Sequence, residues 1–465
     1  TCVRAYARED FRYQPRAVRL QSMLTAALLF ASLLAHAHPD LDAGRAFLSE
    51  KQVAPAISSL GRCLDDEPNN LDCHWEMGWA YWLKSDWAKV VEHWEAVEAA
   101  DPARKGLKRH LSQVRDQARL SEIIRAGREG VPKTHRSEVP EGTTLRIRAV
   151  GDLMIGTDFP EGVLPKNDGK DTFAAVTEAL NNADLTFGNL EGPLCDGGET
   201  TKCKPGAPAG SCYAFRMPGR YAPLFTAAGF DLLSTANNHS GDFGEICRQQ
   251  TESLLDAQGI AHSGRPGVIA SVEKNGLKVA MIGFHTSAAT HDVRDIDTAR
   301  ALVTHVASTH DIVIVSFHGG AEGAKAIHVP HGSETFYGED RGDLRAFSHA
   351  VVDAGADLVL GHGPHVLRAM EIYKDRLIAY SLGNFATYGR FSLRGPNGLG
   401  VILDTTLAPS GAFIGGELVS TKQVGAGTVV LDDAQAGADM IRMLSAEDFP
   451  KTGVLVAQDG SLAKP

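Results

Sequence analysis

Two imidazoles three positions apart close the run Asp357-Leu358-Val359-Leu360-Gly361-His362-Gly363-Pro364-His365. The apolar residues before them read as a buried strand, and the glycine turn that follows reads as an open loop. A strand that ends in this way delivers side chains to the carboxyl edge of an α/β sheet, where ligands have a rigid base and an accessible face. Four other segments are built alike. Leu145 to Val150 runs into Gly151-Asp152, and Asp184 to Phe187 runs into Gly188-Asn189-Leu190-Glu191-Gly192. Asp231 to Thr235 leads to Ala236-Asn237-Asn238-His239, with Asp242 just beyond, and Asp311 to Phe317 leads to His318-Gly319-Gly320, followed by Glu322.

Asp152 and Glu191 offer carboxylates, Asn238 an amide oxygen, and His318, His362 and His365 imidazoles. This mixed oxygen and nitrogen shell suits two divalent metal ions of the manganese, iron or zinc type better than magnesium, which prefers oxygen alone. Paired ions roughly 3.5–4 Å apart clamp a phosphoryl group and activate water. Each fragment alone has a plainer reading, since Gly-Asp is usually a turn and Asn-Asn-His a loop cap. Their ordered succession is what carries the metal hypothesis.

The elements that must position these residues alternate between strand and helix. Helices are expected at Thr172 to Leu180, Pro218 to Ala228, Glu245 to Gln258 and Asp343 to Ala354. Further strands are expected at Val279 to Phe284, Val366 to Ile372, Leu377 to Ser381 and Val401 to Leu407. Alternation of this kind predicts a layered α/β domain with a second sheet packed on the first. It occupies 144–450, with a tail at 451–465. At 465 residues the chain is long enough for two or three domains. Residues 38–127 read as all-helical, and Pro68 and Pro102 lie 34 positions apart. That region resembles a pair of tetratricopeptide-like repeats, through Gly78, Tyr81, Trp94 and Pro102 and, more weakly, Gly44, Phe47, Ala56 and Pro68. The aromatic group Trp75, Trp79, Tyr81, Trp82, Trp87 and Trp94 is expected to be inter-helix core rather than a peptide groove. Residues 128–143, with Pro132 and Pro140, read as a linker.

Arg16 and Arg19 precede the apolar stretch Met23 to Ala35, which ends in Ala35-His36-Ala37. These are the parts of a secretory signal peptide, and the stretch is short for a membrane span. Export to the periplasm or the extracellular space is expected, with membrane contact only through an uncleaved signal anchor. Cys63, Cys73, Cys195, Cys203, Cys212 and Cys247 fit that compartment as disulfides of open connectivity, with a local staple expected in the Cys195, Cys203, Cys212 cluster. A formal net charge of −11 without a long basic run excludes a general nucleic-acid binder.

Taken with Tyr380-Ser381-Leu382-Gly383-Asn384-Phe385, the five strand-end motifs resemble the CapA family. These are bacterial capsule-synthesis proteins of the poly-γ-glutamate type, within the calcineurin-like metallophosphoesterase superfamily. The resemblance covers about 145–405 and leaves the helical region outside. It implies a four-layer α/β/β/α sandwich with metals at the strand ends. By the same resemblance Asp152 and His365 hold one ion, Asn238, His318 and His362 hold the other, and Glu191 bridges them. His239 protonates the leaving oxygen, with Asp242 as its orienting partner. Two positions depart from the superfamily pattern: Met154 stands where an imidazole is usual, and Glu191 where aspartate is usual. Asn189, Glu322 and His262 are spare candidates with structural readings of their own.

Two functions follow as expectations. One is an exported metal-dependent hydrolase acting on a phosphoester or on an amide-type, anionic polymer. The other is a non-catalytic assembly factor for capsule or polysaccharide export that docks a protein partner through its helical repeats.

Overall fold

The computed structural model describes residues 38–200, 202–203 and 212–465, so the signal segment expected before His38 lies outside the described residues. The chain divides into two compact units at Ala118/Arg119. The first contains α1 (Pro39–Ser49), α2 (Val53–Asp66), α3 (Leu71–Leu83), α4 (Trp87–Ala100) and the start of α5 (Leu107–Glu129). Local chemistry sets the helix starts. Pro39 occupies the first turn of α1. Asn70 accepts from the amides of Asp72 and Cys73, and Asp86 accepts from that of Lys89. Gly44 and Gly78 let helices approach, since an added Cβ would lie 2.6 Å from Leu60 and 1.9 Å from Trp94. A disulfide joins Cys63 to Cys73. The aromatic group packs between helices: Trp94 is fully buried, and its Nε1 donates to the Trp75 carbonyl at 3.1 Å.

The second unit is built on two sheets. Its strands are β1 (Leu145–Met154), β2 (Leu185–Leu190), β3 (Leu232–Ser234), β4 (Ala261–Ser263), β5 (Ala270–Lys274), β6 (Leu277–His285) and β7 (His291–Asp292). They continue with β8 (Ile312–His318), the hairpin β9 (Glu334–Phe336) and β10 (Glu339–Gly342), β11 (Leu358–His362), β12 (Met370–Tyr373) and β13 (Arg376–Ala379). The last are β14 (Asn384–Thr387), β15 (Leu399–Leu407), β16 (Phe413–Val424), β17 (Thr428–Leu431), β18 (Leu455–Val456) and β19 (Ser461–Ala463). The helices are α6 (Thr177–Asn181), α7 (Ala222–Ala227), α8 (Gly244–Ala257), α9 (Ile296–Ala307), α10 (Leu344–Asp353) and α11 (Ala436–Asp448).

One sheet runs β18-β19-β16-β15-β1-β2-β3-β4, with β14 also on β1 and β17 on β16; the other runs β12-β13-β11-β8-β6-β5, with β7 on β6. Their apolar faces meet in a shared core in which Ile147, Ala149 and Phe187 of the first pack with Met281, Ile314 and Leu360 of the second. On the outside, Leu302, Val306, Phe347 and Val351 of α9 and α10 cover the second sheet. Leu180, Phe225 and Leu255 of α6, α7 and α8 cover the first. The unit is therefore a four-layer α/β/β/α sandwich. Parallel β1, β2 and β3, and parallel β6, β8 and β11, all end at the same side of it.

Several elements differ from the sequence reading. β1 does not stop at Val150 but runs to Met154, because β14 pairs with it in parallel beyond the reach of β15. The helix expected from Thr172 is confined to Thr177–Asn181. The strand expected from Val366 begins at Met370. Residues 451–465 are not a loose tail: β19 pairs with β16, and Val456 and Leu462 are buried. The region read as linker is pinned, since the Ser137 amide donates to Asp311 at 2.7 Å and Lys133 pairs with the fully buried Asp357. Two more disulfides join Cys195 to Cys247 and Cys203 to Cys212. Among the described residues no helix is long and apolar enough to cross a membrane.

Candidate metal centre

Asp152 sits inside β1, in register with Asn189 of β2 on one side and Asn384 of β14 on the other. It is fully buried, and Asn189 Nδ2 donates to its Oδ1 at 2.8 Å. Asn189 thus orients Asp152. Glu191 follows the end of β2, its amide held by the Leu153 carbonyl at 3.0 Å. Asn237 ties in the turn after β3: its Nδ2 donates to the Leu190 carbonyl at 2.8 Å, and its Oδ1 accepts from the His239 amide at 3.1 Å.

The second sheet contributes histidines in a row. His318 ends β8 in register with His362 of β11, and on its other flank with His285 of β6. His365 follows in a left-handed conformation, φ 58°. Gly363 is required between them, because an added Cβ would lie 2.6 Å from the Gly319 carbonyl oxygen. That close approach brings the His365 loop against the His318 loop.

Asp152, Glu191, His318 and His365 each place a donor atom within 4.8 Å of the others. His318 Nε2 and His365 Nε2 both lie 3.6 Å from Glu191 Oε1. His362 Nδ1 lies 3.4 Å from Asp152 Oδ1. Ligands of one cation at about 2.1 Å stand roughly 3 Å apart as neighbours and about 4.2 Å apart as opposites, so these spacings fit a shared ion. Both oxygens of Glu191, both ring nitrogens of His318 and of His362, and Oδ1 of Asn238 are buried without a hydrogen-bond partner among the described residues. Burying a carboxylate in that state costs several kcal/mol unless a cation compensates it. A divalent cation fits this donor set.

The electrostatics agree. Burial keeps His318 well below its ordinary value, so it presents a neutral imidazole. Burial pushes Glu191 well above the usual carboxylate range. Burial also opposes ionisation of Asp152, yet His362 and His365 hold its carboxyl well below that range. His365 is the reverse case: burial disfavours its charge, but Glu191, Asp152 and Glu322 raise it to about 10. Nδ1 of His365 lies 3.0 Å from both Asp152 Oδ2 and Asn384 Oδ1, two acceptors, so it carries hydrogen. The nitrogen left for a cation is Nε2, on the Glu191 side. The resemblance instead puts Asp152 and His365 on a common ion.

Beside the cluster stands a buried imidazole–carboxylate pair. His239 Nδ1 meets Asp242 Oδ2 at 2.7 Å. Burial lowers the His239 pKa below its ordinary value. Phe215 stacks on its ring at 4.1 Å, and Phe391 packs against both Phe215 and His365 at 5.2 Å. Lys202 Nζ reaches Asp242 Oδ1 at 3.1 Å and the Asn238 carbonyl at 3.2 Å.

Sequence reasoning missed His285, Lys202, Phe215 and Phe391. Only the histidine of Phe284-His285 carried a hint, as a polar residue ending an apolar strand. Of the spare candidates, His262 lies apart, 3.2 Å from Asp256. Glu322 lies at the rim, its Oε2 4.0 Å from His365 Nε2. Met154 is fully buried at the end of β1 and offers a thioether where the superfamily pattern has an imidazole.

Residues 146–388 match the family model described as bacterial capsule synthesis protein PGA_cap. Among relatives, the capsule biosynthesis protein CapA of Bacillus anthracis is 28% identical over 271 residues, covering 55% of this chain and 61% of that protein. The PGA biosynthesis protein CapA of Bacillus subtilis is 27% identical over 280 residues, covering 56% and 67%. Protein y4sH of Sinorhizobium fredii is 27% identical over 328 residues, covering 56% and 69%. Among solved structures, a 5'-nucleotidase from Staphylococcus aureus in complex with alpha-ketoglutarate aligns with a TM-score of 0.35 at 12% identity, over 66% of this chain and 59% of that one. The NAD nucleotidase of Haemophilus influenzae aligns with a TM-score of 0.31 at 10% identity, over 67% and 56%. The chain thus spans less than two thirds of the anthracis protein and of both nucleotidases.

Proposed function

The chain belongs to the bacterial capsule synthesis protein PGA_cap family, and on that premise we propose that its second unit is an exported, metal-dependent hydrolase of the metallophosphoesterase type serving capsule or poly-γ-glutamate synthesis. The observation that carries this reading is the buried Asp152, Glu191, His318, His365 cluster, in which both oxygens of Glu191 and both ring nitrogens of His318 have no hydrogen-bond partner among the described residues, next to an oriented imidazole. Three disulfides support an oxidising compartment outside the cytoplasm.

Asp152, Glu191, Asn238, His318, His362 and His365 would hold the ions, two of the manganese, iron or zinc type. A bound divalent cation supplies Lewis-acid polarisation of the substrate and a more acidic water. His239 moves a proton at Nε2, since its Nδ1 is committed to Asp242. Phe215 and Phe391 shield the imidazoles from bulk water. Lys202, one-third exposed beside His239, favours an anionic substrate, a phosphoester or a carboxylate-bearing polymer.

The test is metal content of the purified protein, wild type against His318→Ala and His365→Ala, with hydrolysis of bis(p-nitrophenyl) phosphate measured alongside. Two equivalents with hydrolysis, both lost in the variants, support the hydrolase. Absence of metal under replete conditions overturns it. A second reading is favoured by the helical first unit and by Met154 in place of an imidazole: an assembly factor docking a partner through tetratricopeptide-like hairpins. Metal-free variants that still support capsule formation in a complemented bacterium would favour that reading.

A further inference from the structure

Glu322 has no place in the ligand set implied by the family resemblance, yet the fold holds it beside His365 Nε2, an imidazole nitrogen that faces the cluster. Its neighbours in the chain are pinned on both sides. The Ala321 amide donates to Glu334 Oε2 at 2.9 Å, and its carbonyl accepts from Arg368 Nη2 at 3.2 Å. Arg368 is fully buried and bidentate to Glu334, at 2.8 and 2.7 Å, so this anchor is rigid. The Gly323 amide donates to the Pro364 carbonyl at 2.9 Å, which ties the segment to the residue preceding His365. Glu322 Oε1 is 3.2 Å from Arg341 Nη2, and that contact turns Oε2 toward His365 Nε2 at 4.0 Å.

Glu191 supplies the independent observation. Its carboxylate is fully buried with both oxygens unpartnered among the described residues, and Oε1 stands 3.6 Å from the same His365 Nε2. Nδ1 of His365 is already committed to Asp152 and Asn384, so Nε2 is the atom on which two carboxylates converge. Spacings of 3.6 and 4.0 Å about one nitrogen fall between the roughly 3 Å and about 4.2 Å expected for ligands sharing a cation at about 2.1 Å.

We propose that Glu322 is a further metal ligand, so that one divalent cation is held by His365 Nε2, Glu191 and Glu322 together. The assignment rests on the divalent-cation reading of the cluster. A third carboxylate offsets what Met154 fails to supply, replacing a neutral nitrogen by a charged oxygen and favouring a hard ion such as Mn²⁺. Asp152 Oδ2 also meets His365 Nδ1 and so helps to fix the tautomer of that ring.

The experiment titrates Mn²⁺ alone into chelator-stripped full-length protein by calorimetry, for wild type, Glu322→Gln and Arg341→Met. Glu322→Gln keeps an acceptor for Arg341 and removes only the charged oxygen. Melting temperatures of the stripped proteins report the fold separately. The expected result is that Glu322→Gln melts like wild type and binds Mn²⁺ about 10–100-fold more weakly, or loses one equivalent. Wild-type Mn²⁺ affinity in Glu322→Gln overturns the assignment and leaves the cation reading standing. Lowered melting of both Glu322→Gln and Arg341→Met without a change in Mn²⁺ affinity also overturns it, by showing a structural ion pair. No Mn²⁺ binding by wild type overturns both.

Discussion

His239 Nδ1 and Asp242 Oδ2, three residues apart on the turn after β3, stand 2.7 Å from each other with both side chains buried. The same carboxylate oxygen accepts the Phe215 amide at 2.9 Å. The aspartate therefore fixes the imidazole and the aromatic wall stacked on it in a single contact, while Lys202 neutralises its other oxygen.

Asp242→Asn should lower kcat for bis(p-nitrophenyl) phosphate by about 10–100-fold, because the amide presents the wrong partner to Nδ1 and frees the ring to turn. Bound metal per chain should not change, since Asp242 contacts no member of the metal cluster. Elemental analysis of the same preparation separates the two effects. Loss of metal in parallel with activity would count against an orienting role.

Removing divalent cations should lower thermal stability. A ligand present at about 100-fold its Kd stabilises the folded state by about 2.7 kcal/mol, which corresponds to several degrees in Tm. Wild type should gain that increment when Mn²⁺ or Zn²⁺ is returned after chelation, and His318→Ala should gain little. An equal gain in both would place the stabilising ion elsewhere.

Arg368→Ala should destabilise the protein by about 3–5 kcal/mol, because it strands Glu334 in a buried position and frees the segment bearing Glu322. Denaturant unfolding of the full chain checks this. A change below about 1 kcal/mol would show that the segment is held by other contacts.

His93 supplies a pH dependence in the helical unit. His74 Nε2 meets the Pro68 carbonyl at 2.9 Å and so carries hydrogen, which leaves its Nδ1 to accept from His93 Nδ1 at 3.0 Å. Burial, aided by His74, lowers the His93 pKa from 6.5 to about 4. The unfolded chain therefore takes up this proton first. The stability contributed by neutral His93 is complete above about pH 6.5 and is lost as pH falls from there toward about 4. His93→Asn should flatten that fall in melting temperature, and parallel curves for the two proteins would refute the assignment.

Much of the centre was legible because strand ends announce themselves locally. An apolar run that stops at glycine marks Asp152, Glu191, His318 and His362 without knowledge of what lies beside them. His285 lay at such an end as well, but one histidine after Phe284 has no neighbouring motif to distinguish it from a core residue. Lys202 and Phe215 sat in a Gly- and Pro-rich stretch with no period to read. The extension of β1 to Met154 was not legible, because the strand that supports it, β14, begins at Asn384, far along the chain from Asp152, with which that residue pairs.

Residue types and their spacing determined, without the fold, which side chains could bind a cation and that they stand at the ends of strands, because side-chain period and turn chemistry are properties of a few consecutive residues. The tertiary structure alone decided that two sheets stack so that these ends converge, which cysteines pair, and that His365 turns Nε2 rather than Nδ1 toward Glu191. Those outcomes depend on packing and hydrogen bonds between segments far apart in the chain, and no local pattern encodes them.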